Sequence, residues 1–556
     1  MINLGLSRIT KLLQVIAQSR GQKIYVPPWK AIHVAGTNGK GSVAAYLSAL
    51  FKHTAKSNFD SSPPSTSQDD LKSIKVVLDG RLGQSSSSEQ SVRVGRFTSP
   101  HFIDRWDCIT INDRPVQKDE FLRVESEVTR LAQQHLEEQP SNFEILTATA
   151  FELFSGADGD ACDLAILECG LGGRLDATNS LPDQSIAVSV ITAIALDHVD
   201  LLGGPPGTPS DQALRNIGRE KFGIARRGIP VLSDWQNEHL LKEPYRALYG
   251  DDWTSHHDSS SSERTMLEFP PLTELELTIG SAESLYKMDM STELRRSINV
   301  LSDLLPHQAT NLVLAREAYY KFWDGALDSE VGLALDQELV LLATAVKDAQ
   351  KSYPGRLQVL ERGWTSDSAL SSLQDTMIVL DGAHNVQSAR VLREFVDRRL
   401  RGSGEHRLDI RQTVIWVLAF SAGKEVNEML HLLVNEAPES RLNSIVLTRF
   451  GSVDGMPWVK SMDTGTLEGV LARCSQHIQQ LPSCQHIADA LDVVESEVTR
   501  IRSTGEQEPL VVVAGSLYLV SNFLRFVRDG RAGFEEYWHG SAPRIGNHCS
   551  QAQIQK

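Results

Sequence analysis

Long apolar runs are missing from this chain of 556 residues. The most apolar stretch, residues 186–196, is short and dotted with Ser and Thr, far below the roughly 20 residues a membrane helix needs. It reads as a buried strand, and no membrane partner is expected. Positive charge is in deficit: 55 Lys and Arg against 71 Asp and Glu leave a formal net charge of -16. Surfaces that hold nucleic acid or anionic membrane rely on surplus Lys and Arg, so nucleic acid is not an expected partner either. Any anionic substrate has to meet a local positive site. Cysteine is scarce as well. The six present (Cys108, Cys162, Cys169, Cys474, Cys484, Cys549) form no CxxC pair, which disfavours a disulfide scaffold or a zinc cluster. A secretory apolar core is absent, and residues 1–50 lack acids while holding six Lys and Arg, a composition shared with mitochondrial transit peptides.

Such a length exceeds one ordinary core, and 41% hydrophobic residues fit a globular protein, so two domains with insertions are expected. Apolar strand-like runs at residues 31–35, 164–167, 187–196, 377–380, 414–420, 444–447 and 510–514 alternate with amphipathic helical stretches. That alternation predicts an α/β architecture with parallel sheets and helical crossovers, whose ligands bind at the carboxyl ends of strands. Residues 57–91 and 250–264, rich in Ser and Asp, bury too little apolar surface to offset chain entropy and read as surface loops or disorder. A helix over residues 336–349 is broken by Ser352-Tyr353-Pro354-Gly355, which predicts domains 1–353 and 354–540 and a polar tail at 541–556.

The first strand runs into Gly36-Thr37-Asn38-Gly39-Lys40-Gly41-Ser42 and then a helix. Glycines let backbone amides close around phosphate oxygens, the helix start adds partial positive charge, Lys40 adds a full one, and Ser42 can face magnesium. The usual P-loop pattern lacks the glycine found here between Lys and Ser. A plain glycine-rich turn is the bland alternative. The second run delivers Glu168 to a strand end, followed by Cys169-Gly170-Leu171-Gly172-Gly173-Arg174-Leu175-Asp176-Ala177-Thr178-Asn179. A carboxylate there is placed to hold the magnesium a nucleotide brings, or is a solvated strand-end acid. The third delivers Asp197-His198, and a helix expected to open at Thr208-Pro209 carries Glu220-Lys221. Thr98-Ser99-Pro100-His101 offers hydroxyls to metal or phosphate, or is an ordinary Ser-Pro turn.

In this order the motifs resemble the Mur-ligase superfamily, and within it the folylpolyglutamate synthase and dihydrofolate synthase family. Also matching are Phe143-Glu144-Ile145-Leu146-Thr147, Glu220-Lys221-Phe222-Gly223-Ile224, His307-Gln308-Ala309-Thr310-Asn311, Pro354-Gly355-Arg356 and Leu380-Asp381-Gly382-Ala383-His384-Asn385. The resemblance implies a P-loop ATPase domain followed by a smaller Rossmann-like C-terminal glutamate-ligase domain. It implies ATP contacts from Gly36, Thr37, Asn38, Gly39, Lys40, Gly41, Ser42, Asn311, Arg356 and Asp381. Magnesium, at two sites, would be held by Ser42, Ser99, Glu168 and His198. Lys221 matches a lysine carbamylated in the family, and Lys40, Lys221 and His384 take catalytic positions. Phe143, Glu144, Thr147, Arg174 and Asp176 would bind the pterin substrate, with Asp381 and His384 near the incoming glutamate.

The implied reaction is ATP-driven activation of the carboxylate of dihydropteroate, or of a folate, as an acyl phosphate that L-glutamate then attacks. Leu4-Gly5-Leu6-Ser7-Arg8-Ile9, Leu447-Thr448-Arg449-Phe450 and Gly515-Ser516-Leu517-Tyr518-Leu519 look most like the fungal dihydrofolate synthases. A folylpolyglutamate synthase is the alternative within the family, and an inactive nucleotide-binding regulator is the alternative outside it. Family-like sequence starts close to Met1, leaving little for a presequence, so a cytoplasmic monomer is expected rather than a mitochondrial form. Two substitutions depart from the family pattern: Ala422 before Gly423-Lys424, and Phe222 where Ala follows Glu-Lys.

Overall fold

The computed structural model describes residues 5–57, 74–76, 89–157, 160–249, 267–273, 275–276, 279–280, 291–324, 334–360, 363–364, 368–401, 412–424, 426–435, 441–474, 478–504 and 508–540. The expected insertion at 250–264 and the tail at 541–556 lie outside these residues. The chain divides into two compact units, Met1–Tyr353 and Pro354–Lys556.

An eight-stranded sheet organises the first unit, in the order Leu267–Glu268, Val231–Ser233, Ile186–Ile191, Lys30–Ala35, Leu164–Glu168, Val94–Phe97, Ile109–Ile111, Arg114–Pro115. Its central strands pair in parallel and are buried on both faces, as strands with helices above and below must be. Side chains alternate: Ile32, Val34, Leu164 and Ile166 enter one core cluster, whereas Ala31, Ala165 and Leu167 enter another. The first cluster is closed by helices Lys40–Lys52, Pro306–Asp324 and Leu335–Ser352, the second by Ser7–Ser19, Lys118–His135 and Asn142–Phe154.

The α/β expectation is borne out, but the sheets are mixed rather than parallel. Asn112 and Asp113, at φ 51° and 61°, form a two-residue turn that folds Arg114–Pro115 back on Ile109–Ile111. The run expected as a strand to residue 196 pairs only through Ile191, because the next residues leave the ladder and Ala193 O accepts from Thr37 and Asn38 N–H instead. The helix expected to open at Thr208-Pro209 spans Ser210–Phe222 with Pro209 extended before it at ψ 145°. Of the segment expected as loop or disorder, Ile74–Val76 and Glu89–Ser91 pair with Thr54–Ser57 in a small antiparallel sheet.

The second unit has six strands in the order Gln358–Leu360, Ile378–Leu380, Leu510–Ala514, Gln412–Leu418, Arg441–Leu447, Ile478–Gln480. All pairs are parallel except the first, so the strands ending at Leu380, Leu418, Leu447 and Ala514 share one carboxyl end of the sheet.

Candidate active site

Three strand ends of the first unit converge. Lys30–Ala35 ends at the glycine-rich turn, and helix Lys40–Lys52 starts from Gly39 in the left-handed region at φ 93°. A Cβ at Gly39 would collide with the Asn311 carboxamide, so the turn can lie under that side chain only because residue 39 is glycine. Thr37 is held from the neighbouring strand's exit. Its N–H donates to Ala193 O at 2.8 Å, its hydroxyl to Ala195 O at 3.1 Å, and Ala195 N–H returns a bond to that hydroxyl at 3.0 Å. Ser42 lies in the helix's first turn.

Leu164–Glu168 delivers Glu168, nearly buried, to within 3.8 Å of the Lys40 ammonium. The other carboxylate oxygen accepts the Ser99 N–H at 3.3 Å, just ahead of a cis Ser99–Pro100 peptide. Glycine turn, acid and Thr98-Ser99 segment therefore form one cluster. Lys221, on helix Ser210–Phe222, reaches in from another side and donates to Gly36 O at 2.6 Å. Burial, reinforced by Lys40, lowers its pKa to about 7, so near neutrality much of it is the free amine.

Asp176 is buried behind the Gly170 to Gly173 turn, where it accepts from Leu171 N–H at 2.8 Å and from Thr178 N–H at 3.0 Å and hydroxyl at 2.6 Å. Burial pushes its carboxyl up, opposed by those bonds. Phe143 is half-buried, stacked on Phe97 at 6.0 Å and lying against Gly170. Glu144 closes a capping box with Ser141 at the start of helix Asn142–Phe154. Thr147 is fully buried, and its hydroxyl donates to Phe143 O at 2.7 Å.

Two candidates sit further out. His198 caps the short helix Val199–Leu202 at φ 50° with its side chain half exposed and Nε2 3.8 Å from Asp197 Oδ2. Arg174 is largely solvent-facing and paired to Glu220 at 2.7 Å. Among the described residues no group of three or more His, Cys, Asp or Glu is placed to hold a metal ion. The donors near the loop are instead one carboxylate and the Ser42 and Ser99 hydroxyls, oxygen chemistry that suits a hard cation completing its shell with phosphate and water.

In the second unit Asp381 is buried at the end of Ile378–Leu380. Its oxygens accept Leu357 N–H and Ala383 N–H, both at 2.8 Å, which holds Leu357 at φ 50° beside Arg356. Burial raises its carboxyl, against the pull of the Arg356 charge. His384 Nδ1 lies 2.8 Å from Gly382 O.

Sequence reasoning missed three residues around the site. Tyr353 packs against Gly41, where a Cβ would meet its hydroxyl, and buried Arg96 donates to Ser352 O at 3.1 Å. His33, in the first strand, lies 2.8 Å from Thr178 Oγ1 and 3.1 Å from Cys169 Sγ, directly behind Asp176. Its alternate position in an otherwise apolar strand was the available signal.

Residues 367–526 match the family model described as dihydrofolate synthetase, C-terminal domain. The chain is 28% identical over 541 residues to the dihydrofolate synthetase of Saccharomyces cerevisiae, covering 94% of this chain and 98% of the relative. It is 27% identical over 529 residues to the probable dihydrofolate synthetase of Schizosaccharomyces pombe, covering 95% and 99%. A solved structure of Mycobacterium tuberculosis folylpolyglutamate synthase complexed with ADP shares the fold, with a TM-score of 0.59 at 22% identity over 94% of each chain.

Proposed function

We propose that this chain, a member of the folylpolyglutamate synthase and dihydrofolate synthase family, is a dihydrofolate synthase that joins the carboxylate of 7,8-dihydropteroate to L-glutamate with ATP. Similarity to two fungal dihydrofolate synthetases along nearly the whole of each chain supports the substrate pair. The observation that carries the chemistry is the approach of Lys40 to buried Glu168 at a strand-to-helix glycine turn.

A free carboxylate is a poor electrophile, and phosphorylation by ATP gives its carbonyl a leaving group for the glutamate amine. The loop from Gly36 to Ser42 offers backbone amides and a helix start to the phosphates, and Lys40 supplies a full charge to the group in transfer. Asn311, Arg356 and Asp381 are assigned to the nucleotide. Glu168, Ser42, Ser99 and His198 are assigned to divalent metal, which when bound neutralises phosphate charge. Lys221, partly unprotonated near neutral pH, is suited to take up carbon dioxide and become an anionic carbamate facing those ligands.

The acceptor's flat ring is assigned to the Phe143 face, with Glu144, Thr147, Asp176 and Arg174 around it. His384 is assigned to the glutamate step. A cytoplasmic, monomeric protein completes the reading.

The test offers dihydropteroate and tetrahydrofolate side by side with ATP and labelled glutamate, and counts glutamates by mass. One glutamate on dihydropteroate is expected. Extension of tetrahydrofolate alone would replace the assignment with folylpolyglutamate synthesis, and glutamate-independent ATP turnover would remove the ligase reading.

A further inference from the structure

Beside Phe143, Glu144 is bonded to a residue 136 positions earlier in the sequence. Arg8, in the first turn of helix Ser7–Ser19, has only 11% of its side chain exposed and donates from Nε to Glu144 Oε2 at 3.0 Å. The same Glu144 oxygen accepts Ser141 N–H at 2.7 Å, while Ser141 Oγ accepts Glu144 N–H at 3.3 Å. Glu144 Oε1 is buried and makes no hydrogen bond among the described residues. The polar satisfaction of a buried carboxylate thus falls on one oxygen and two donors, Arg8 and the Ser141 amide. Phe143 lies between those two capping residues in sequence, so whatever fixes Ser141 and Glu144 fixes the backbone that carries its ring. That ring is also confined by Phe97, next to the Thr98-Ser99 segment, and by Gly170, just beyond Glu168.

We propose that Arg8 is a specificity-determining positioning residue, which through Glu144 sets the Phe143 face on which the acceptor's ring is bound. The proposal rests on the assignment of that face to the acceptor. Arg8 donates to Glu144 and, at 3.1 Å, to the exposed Glu138. Removing Arg8 leaves the Glu144 carboxylate buried beside a single donor, and such a group pulls toward water rather than keep its place. The first helical turn then loses its fixed register, and with it the separation of the Phe143 and Phe97 rings.

The test measures steady-state kinetics of Arg8→Met and Arg8→Lys in the full chain, with dihydropteroate and ATP varied separately. For Arg8→Met the KM for dihydropteroate is expected to rise about tenfold while that for ATP stays within about twofold. Arg8→Lys restores a donor and is expected to recover part of the loss. Should Arg8→Met fold poorly, the double variant Arg8→Met with Glu144→Gln removes the uncompensated charge and is expected to fold while keeping the raised KM. Unchanged KM for dihydropteroate in a folded variant overturns the proposal, as does an equal rise in both KM values. Wild-type protein without saturable dihydropteroate-dependent ADP formation would instead overturn the acceptor assignment itself.

Discussion

The Lys40 ammonium, at the start of the helix that follows strand Lys30–Ala35, and the Glu168 carboxylate, at the end of the adjacent parallel strand, approach to 3.8 Å with Glu168 almost wholly buried. Each of these groups alone would suffer desolvation, and the proposed function uses the pair on a charged ligand. Lys40→Ala and Glu168→Ala are each expected to lower glutamate-dependent phosphate release by at least about 100-fold, the order lost when one charge-stabilising group is removed from a transfer site. Phosphate release at saturating substrates checks this, and near-normal turnover in either folded variant contradicts the assignment.

Lys221 gives a pH signature. Its pKa falls to about 7 on burial, against 10.5 for an ordinary lysine, so between those values the unfolded chain binds a proton the native chain does not. Stability therefore rises as pH climbs from about 7 toward 10.5. Replacement by Met removes this contribution, and urea midpoints across that range are expected to lose most of their upward slope. Turnover is expected to rise through the same midpoint and to fall when dissolved carbon dioxide and bicarbonate are stripped out. A flat wild-type profile in both measurements would dismiss an amine poised for carbamylation.

His33 gives a signature of the same sign, on the acid side. Burial, with Arg226 adding to it, depresses its pKa to about 3 from 6.5, so below 6.5 the unfolded state takes up a proton that the native state resists. Stability is lost as pH falls through this window, and His33→Asn should blunt the loss. The variant keeps one polar contact toward Thr178 and Cys169, which lie 2.8 Å and 3.1 Å from the native ring. Thermal unfolding at pH 7 and pH 4 checks it: the wild-type protein is expected to drop further than the variant, and equal drops refute the account.

The strand-to-helix glycine turn and the acid at the neighbouring strand end were legible because they are written locally. Glycine, Lys and Ser at fixed spacing after an apolar run state both the turn and its charge, and Glu168 follows such a run at the same sheet edge. The limits of the reading lie where position depends on distant partners. Periodicity carried the strand past Ile191 because residues 192–196 are mostly apolar, yet their backbone is used to hold Thr37. The antiparallel edge escaped notice because it hangs on two left-handed residues, Asn112 and Asp113, in a polar turn. Thr147 was chosen by motif, whereas its hydroxyl is taken up by its own helix. Arg174 was chosen likewise, and its guanidinium is paired to Glu220 at the surface. Nothing local marks Arg8, Arg96 or Tyr353 for the contacts they make, because those contacts are with segments far away in sequence.

Asp381 supplies the last expectation. Its two oxygens hold two backbone N–H groups, one of them from Leu357 in a backbone region that side chains with a Cβ rarely adopt. In Asp381→Asn one oxygen remains as acceptor, but the amide nitrogen turns a donor toward the second N–H, and a buried donor left unpaired costs about 1–3 kcal/mol. If the lost bond is the one to Leu357, that residue is free to relax from φ 50° and move the adjacent Arg356, whose charge lies close enough to Asp381 to pull its pKa down. The variant should therefore show a lower urea midpoint for the second unit, together with a KM for ATP or glutamate raised severalfold. An unchanged midpoint would mean that water replaces the lost acceptor at no penalty. Unchanged KM values beside a lowered midpoint would reduce Asp381 to a structural carboxylate and withdraw its assignment to the nucleotide.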